Sequence, residues 1–338
     1  MKPMLSGSPA EARWLRSAPR TDWPAATIAR ITHSAFPRRR VLEWRPLANG
    51  QRNANLLLRL DSPSEPVVLR IYQHDPSLCR KEVDLMQLVR QTVPVPEVIH
   101  AAAGGLEELP PFAFLEFIDG VTPLDLKRRG DFAAFAQAAG SAGETLAAIG
   151  HFAFPRAGWL GPGPAVTAPL LEGADPMPRF VDLCQESTLF QSRVPAPVRA
   201  QIHQLVWQWA PRLAALDAAP RLVHGDFSRR NLVARQVGNR WTIVAVLDWE
   251  FAVASSPLTD LENFLRYELE SRPLAEPHFS AAYRRAGGVL PEDWGRLRRI
   301  VGLTSTCASL ANNELSAVVT GELVELVQAT AEDRDPRL

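Results

Sequence analysis

The prevailing spacing of apolar residues along this chain changes near position 120. Before it they come in short dense runs: residues 56–60, 67–72 and 111–118 are rich in Leu, Val, Ile, Phe and Tyr and predict strands. After it the period lengthens to that of helices. Asp131 is placed to cap a helix running to about 149, and from 198 to 216 a stripe of Ile202, Leu205, Val206, Trp209, Leu213 and Leu216 has helical spacing. Between them, residues 154–197 are punctuated by eight prolines, which predicts loops and one short helix. Ahead of position 36 the chain reads as a leader with a short helix over 23–30, opened by Asp22. No internal repeat or low-complexity tract is present.

Within the strand-rich part, one helix carries an anomaly. Asp75-Pro76 is a start signal, and Leu78, Glu82, Leu85, Met86 and Val89 recur at helical spacing, so Glu82 shares the apolar face. A carboxylate there needs a cation. On the preceding strand Val68, Arg70 and Tyr72 point one way while Val67, Leu69 and Ile71 point the other, which places Arg70 between large partly apolar neighbours. Pairing Arg70 with Glu82 resolves both.

Composition narrows the class. At 338 residues, 37.3 kDa and 46% hydrophobic, the chain exceeds the usual size of a single core, so two lobes are expected. Lys+Arg and Asp+Glu are both 37, which leaves no global field for nucleic acid or an anionic membrane. Basic runs such as Arg38-Arg39-Arg40 and Lys127-Arg128-Arg129 are short and read as solvated surface. Cys79, Cys184 and Cys307 are scattered and form no CxxC, against a disulfide framework or zinc site and in favour of a reducing cytoplasm. No apolar signal region and no run of ~18 apolar residues occurs, so neither secretion nor membrane spanning is expected.

The chemistry concentrates in His224-Gly225-Asp226-Phe227-Ser228-Arg229-Arg230-Asn231 and in Leu247-Asp248-Trp249-Glu250. An aspartate followed five positions later by an asparagine is how kinase catalytic loops carry a hydroxyl-orienting base and a magnesium ligand. The runs 231–234 and 241–247 are β-rich, and Gly238-Asn239 between them signals a hairpin. A turn there brings Asn231 opposite Val246, about two residues from Asp248, so the two can share one cation. Magnesium suits this pair: it takes hard oxygen ligands, with only one or two from protein side chains beside phosphates and water. Residues 47–55, with Gly50 and Asn53, could turn backbone N–H groups toward phosphate, and no Walker-type GxxxxGK[ST] competes with them.

Gly50 to Asn53, Val68-Leu69-Arg70, Glu82, Val93-Pro94-Val95-Pro96, Phe117-Ile118-Asp119-Gly120, the His-Gly-Asp loop, the Leu-Asp-Trp-Glu turn and Pro257…Asp260-Leu261 occur in that order. The series resembles the aminoglycoside phosphotransferase family, the choline/aminoglycoside kinase-like group, over roughly residues 40 to 270. The resemblance implies an α+β, two-lobed protein-kinase-like fold: a β-rich nucleotide-binding lobe over 36–119, after a leader over 1–35, and a larger mainly helical lobe over 120–338. It implies ATP or GTP between the lobes and a small-molecule hydroxyl as acceptor. By the same resemblance Asp226 is the catalytic base, Asn231 and Asp248 hold Mg²⁺, and Asp260, with His224, supports the loop. Arg70, Glu82, Gly50 and Asn53 serve the phosphates, and residues 116–118, with Glu116 and Ile118, form the hinge that meets the nucleobase. Many relatives carry Lys where this chain has Arg70, and the two are not interchangeable at a phosphate.

Only 12 positions (260 − 248) separate Asp248 from Asp260, too few for the activation segment of a protein kinase, so the acceptor should be small. Asp182, Glu186, Glu262, Glu268 and Glu270 could meet a cationic acceptor, and Trp159, Trp207, Trp209 and Trp294 an apolar one. The alternative is a pseudokinase that binds nucleotide without catalysis.

Overall fold

A computed structural model describes residues 23–47, 53–61, 65–266, 273–312 and 315–334. Gly50, Asp22, Glu268 and Glu270 lie outside the described residues.

The first third builds a sheet between two helices. In chain order it comprises α1 (Ala25–Ala35), β1 (Val41–Pro46), β2 (Ala54–Leu60), β3 (Val67–Ile71), α2 (Leu78–Val89), β4 (Val98–Ala102) and β5 (Phe112–Glu116). The five strands are antiparallel in the order β1-β2-β3-β5-β4. Period-two alternation sorts β3 as expected. Val67, Leu69 and Ile71 join Leu56, Leu58 and Phe114 in a core covered by Ile28 and Ile31 of α1, while Tyr72 faces α2 and the larger core of the molecule. The helix assigned to a leader thus covers one face of this sheet, and it begins two residues later and ends five residues later than the expected 23–30. β1 and β4 were not predicted as strands. β4 leaves Ile99 42% exposed and β1 leaves Leu42 63% exposed, as edge strands do, so neither carries a dense apolar run.

The rest is mainly helical: α3 (Pro123–Arg128), α4 (Phe132–Ile149), β6 (Gly158–Leu160), β7 (Val166–Ala168), α5 (Pro176–Glu186), α6 (Thr188–Arg193), α7 (Ala196–Gln208), α8 (Ala210–Leu216), β8 (Arg221–Val223), β9 (Leu232–Val237), β10 (Arg240–Val246), β11 (Val253–Ser255), α9 (Leu258–Leu265), α10 (His278–Arg285), α11 (Trp294–Asn312) and α12 (Ala317–Ala331). Asp131 caps α4 by accepting from the Ala134 N–H at 3.1 Å. The stripe over 198–216 is two helices rather than one, because Pro211 cannot donate the backbone bond that would carry α7 through Trp209. The proline-rich stretch holds a β6–β7 hairpin and two helices, more structure than expected. Its prolines 176, 178 and 197 sit in first helical turns, where a missing N–H costs nothing. No helix among the described residues is long and apolar enough to cross a membrane.

The two parts meet where the chain leaves β5. Val121 exchanges backbone hydrogen bonds with Ala234 of β9 (2.9 and 2.7 Å), and a Cβ on Gly120 would lie 2.7 Å from the Ala234 carbonyl oxygen. This close crossing sets the β9–β10 ribbon beneath the sheet.

Candidate active site

The His-Gly-Asp loop follows β8 and is fixed mainly through its backbone. Asp260, in the first turn of α9, is fully buried and accepts the N–H groups of His224 (2.6 Å) and Gly225 (2.9 Å). Gly225 has φ +84°, and a Cβ there would lie 2.3 Å from the Phe251 carbonyl oxygen, so only glycine fits. Asn263, one turn along α9, donates to the Gly225 carbonyl at 2.9 Å. His224 bridges outward: its Nε2–H donates to the Leu247 carbonyl (3.0 Å), since a carbonyl can only accept, and its Nδ1 accepts the Asp226 N–H (3.2 Å). That neutral tautomer agrees with a pKa lowered to about 4 by burial. Asp226 takes the side-chain amide of Asn231 on Oδ2 at 2.8 Å. Burial, then the charge of Asp248, push Asp226 up to about 6 against the pull of Arg230, Asn231 and Arg266. Burial likewise pushes Asp260 up to about 7 despite its backbone donors.

The β9–β10 ribbon forms as predicted but in a register shifted by one. A bulge between Ile243 and Ala245 pairs Val246 with Leu232, and Leu247 N–H donates to the Asn231 carbonyl at 2.8 Å. Asn231 is therefore opposite Leu247, not Val246, and adjoins Asp248 more closely than expected. Asp248 itself adopts φ +70°, a left-handed conformation uncommon outside glycine, as the chain turns into a short 3₁₀ segment over Trp249–Phe251. Trp249 fills the space beneath this turn, packing edge-on against His224 with ring centres 4.7 Å apart.

From the sheet side, Arg70 reaches into the same place. Its Nη2 donates to Glu82 (2.9 Å) and to Asp248 (2.6 Å) and lies 3.7 Å from Glu250. The expected Arg70–Glu82 pair is present, and it is part of a larger cluster. Tyr72 donates to the other oxygen of Glu82 (2.6 Å), Asn53 donates to Glu250 (2.8 Å), and Lys81 Nζ donates to the Glu250 carbonyl (2.9 Å). Burial works against the charge on Arg70, but Glu82 and then Asp248 outweigh it and hold the guanidinium firmly protonated. Burial raises Glu82 above the usual carboxylate range, with Arg70 opposing.

The sequence profile of the phosphotransferase enzyme family matches residues 43–300. The chain belongs to that family. Among solved structures the fold is shared with the aminoglycoside phosphotransferase APH(4)-Ia at 18% identity and a TM-score of 0.64, over 92% of this chain and 98% of that one. It is shared too with a GDP complex of aminoglycoside 2'-phosphotransferase-IIIa (16%, TM-score 0.64, 92% and 99%) and with a putative fructosamine-3-kinase from Haemophilus somnus 129PT (17%, 0.55, 90% and 96%). No curated protein matches by sequence. The architecture is thus kinase-like and α+β, as the residues suggested.

In this phosphotransferase Glu250, Lys81, Tyr72 and Asn263 were not among the expected site residues. Glu250 stood in the quoted Leu-Asp-Trp-Glu turn, and its place two residues after Asp248 was the available signal. Glu116 ends β5, where it exchanges hydrogen bonds with Glu97 (2.9 and 3.2 Å), and half-buried Ile118 follows in the connection to α3, at the junction of the two parts. Several residues suggested for the acceptor are engaged elsewhere. Asp182 accepts from Trp207 (2.8 Å) and contacts His203 (2.8 Å), Glu262 pairs with Arg298, and Arg296 lies over the Trp209 ring.

Proposed function

We propose that the phosphotransferase moves the γ-phosphoryl group of ATP or GTP to a hydroxyl of a small molecule, with the nucleotide between a lobe ending near 119 and the helical remainder. The observation that carries this reading is the Asp226 carboxyl, partly buried, bonded to Asn231 and set on a loop whose backbone Asp260 clamps. In the transfer the acceptor oxygen bonds to the γ-phosphorus as the bridge to the β-phosphate breaks. The hydroxyl proton passes to Asp226, and the nucleoside diphosphate leaves. A carboxyl near pH 6 takes up such a proton readily at neutral pH. Arg70, held by Glu82, supplies positive charge to the phosphates, and Asn53 borders them. Residues 116–118 meet the base.

Magnesium fits the donor set. Oxygens of Glu82, Asp248 and Glu250 lie within 4.8 Å of one another, three carboxylates around one guanidinium, and Asn231 adjoins them across the ribbon. Asp248 and Asn231 would hold the ion, which would neutralise phosphate charge. Free buried Cys79, Cys184 and Cys307 accord with a reducing, cytoplasmic setting.

The test is release of ADP or GDP from the purified protein with Mg²⁺ across hydroxylated metabolites and antibiotics, with product masses read. One acceptor gaining a phosphoryl group with Mg²⁺ present, and gaining none when Mg²⁺ is chelated beforehand, supports the reading. Tight nucleotide binding with no acceptor anywhere would favour the pseudokinase alternative.

A further inference from the structure

On the helical lobe a narrow cleft runs between α9, α11 and α12, lined by Glu262, Arg266, Arg298, Arg299, Gly302 and Thr306 among others. Three guanidinium groups thus face one carboxylate. Arg298 is 93% buried, its Nη1 is held by Glu262, and its Nε has no partner. Arg299 is held by Asp333 at 3.2 Å. Arg266 differs from both. It closes α9 and, among the described residues, donates only to neutral groups, Asn263 Oδ1 at 2.8 Å and the Ser305 hydroxyl. Among the described residues no carboxylate lies within ion-pairing distance of it, and its Nε is buried without a partner.

Arg266 is also tied to the chemistry. Asn263, which it holds, donates to the carbonyl of Gly225, the residue before Asp226. Its charge is felt at the Asp226 carboxyl, which it pulls downward. A fixed guanidinium with no carboxylate in ion-pairing distance among the described residues can receive an oxyanion on Nη1, since Asn263 and Ser305 both take Nη2. On the proposed function the phosphates of the nucleotide are served by Arg70, which lies with Glu82 and Asp248.

We propose that Arg266 receives a carboxylate of the acceptor, with Arg298 behind it, so that the acceptor is a hydroxylated organic acid and not a polycation. The inference rests on the phosphotransferase reading of Asp226. The cleft is narrow, so the carboxylate sits at its mouth, where Arg266 is half-exposed. Its hydroxyl then extends toward Asp226.

The test compares matched probes at constant ionic strength with Mg²⁺ and ATP: glucuronate, glucose, glucosamine and glucose 6-phosphate, and separately glycerate against glycerol. ADP release is read, and calorimetry with a non-hydrolysable ATP analogue reads binding. Each carboxylate probe should exceed its neutral counterpart by about ten-fold or more in kcat/KM or affinity, the scale of a hydrogen-bonded charge. Glucosamine should be the worst pyranose. Arg266→Gln should raise the KM of the carboxylate probe about ten-fold while moving the nucleotide KM far less, and Arg266→Lys should restore part of the preference. Equal response to all probes, no response to any, a preference for glucosamine, or glucose 6-phosphate outperforming glucuronate would each overturn the carboxylate assignment. Failure to bind Mg²⁺–ATP without any probe would instead overturn the phosphotransferase reading beneath it.

Discussion

The two walls of the candidate active site, the Arg70 cluster and the His-Gly-Asp loop, are held by different kinds of bond. On the sheet side charge meets charge: Arg70 is shared among Glu82, Asp248 and Glu250, and Lys81 and Asn53 hold Glu250 in turn. On the side of the His-Gly-Asp loop a buried carboxylate and a neutral imidazole meet backbone groups, Asp260 against the N–H groups of His224 and Gly225, His224 against the Leu247 carbonyl. An ion pair can exchange one partner for another of like charge, so Arg70 can turn to a phosphate and Asp248 to a cation without unfolding anything. A backbone clamp has no such freedom. On the proposed function, one side would change partners when nucleotide and metal arrive, and the other would keep Asp226 where it is.

The largest effect should come from breaking the rigid wall. Asp260→Ala leaves the His224 and Gly225 N–H groups buried without acceptors, each costing about 1–3 kcal/mol, so the variant should lose several kcal/mol of stability together with activity. Chemical denaturation checks the first and turnover at low temperature the second. A stable variant that still turns over would show that the clamp does not set the loop.

The exchangeable wall should respond more in binding than in folding. Arg70→Ala and Glu82→Ala should each raise the nucleotide KM, and a double-mutant cycle should return a coupling of about 1–3 kcal/mol, because both remove one unit. Additive losses would mean that Glu82 does not hold Arg70 for the nucleotide. Arg70→Lys should keep reduced activity, since a point charge still neutralises phosphate but the fork is gone.

The smallest effect is a pH dependence of stability. His224 is held near pKa 4 in the fold against about 6.5 unfolded, so between those values the unfolded chain binds more protons. Its contribution is complete above pH 6.5 and is lost as pH falls toward 4. Asp226 and Asp260, raised to about 6 and about 7, act in the opposite sense over most and all of that range respectively, so the difference between wild type and His224→Gln isolates the histidine. Unfolding curves at pH 5 and pH 7 should show wild type losing more on acidification than the variant. An equal loss would place the charge change of His224 outside this window.

These walls were not equally legible in the sequence. Glu82 and Arg70 announced themselves because helix and strand periods each placed a charge on an apolar face, a local conflict that one pair resolves. Asp226, Asn231 and Asp248 were legible as a spaced pattern, and the hairpin between them as Gly238-Asn239. The one-residue shift at Asn231 was not, because a bulge at 243–245 answers to packing and leaves no glycine or proline as a mark. Nor could the sequence show that Asn53 and Lys81 meet Glu250, separated by 197 and 169 positions, since such contacts follow from how the lobes dock. The break at Trp209 was marked by Pro211, and the apolar stripe masked it.

The claim that Asp226 is the group the rigid wall exists to hold is tested most directly by Asp226→Asn, assayed with an identified acceptor. The variant should fold and bind Mg²⁺–nucleotide near normally while kcat falls by at least about 10²-fold, the scale of lost general-base catalysis. Turnover at the wild-type rate would contradict the account.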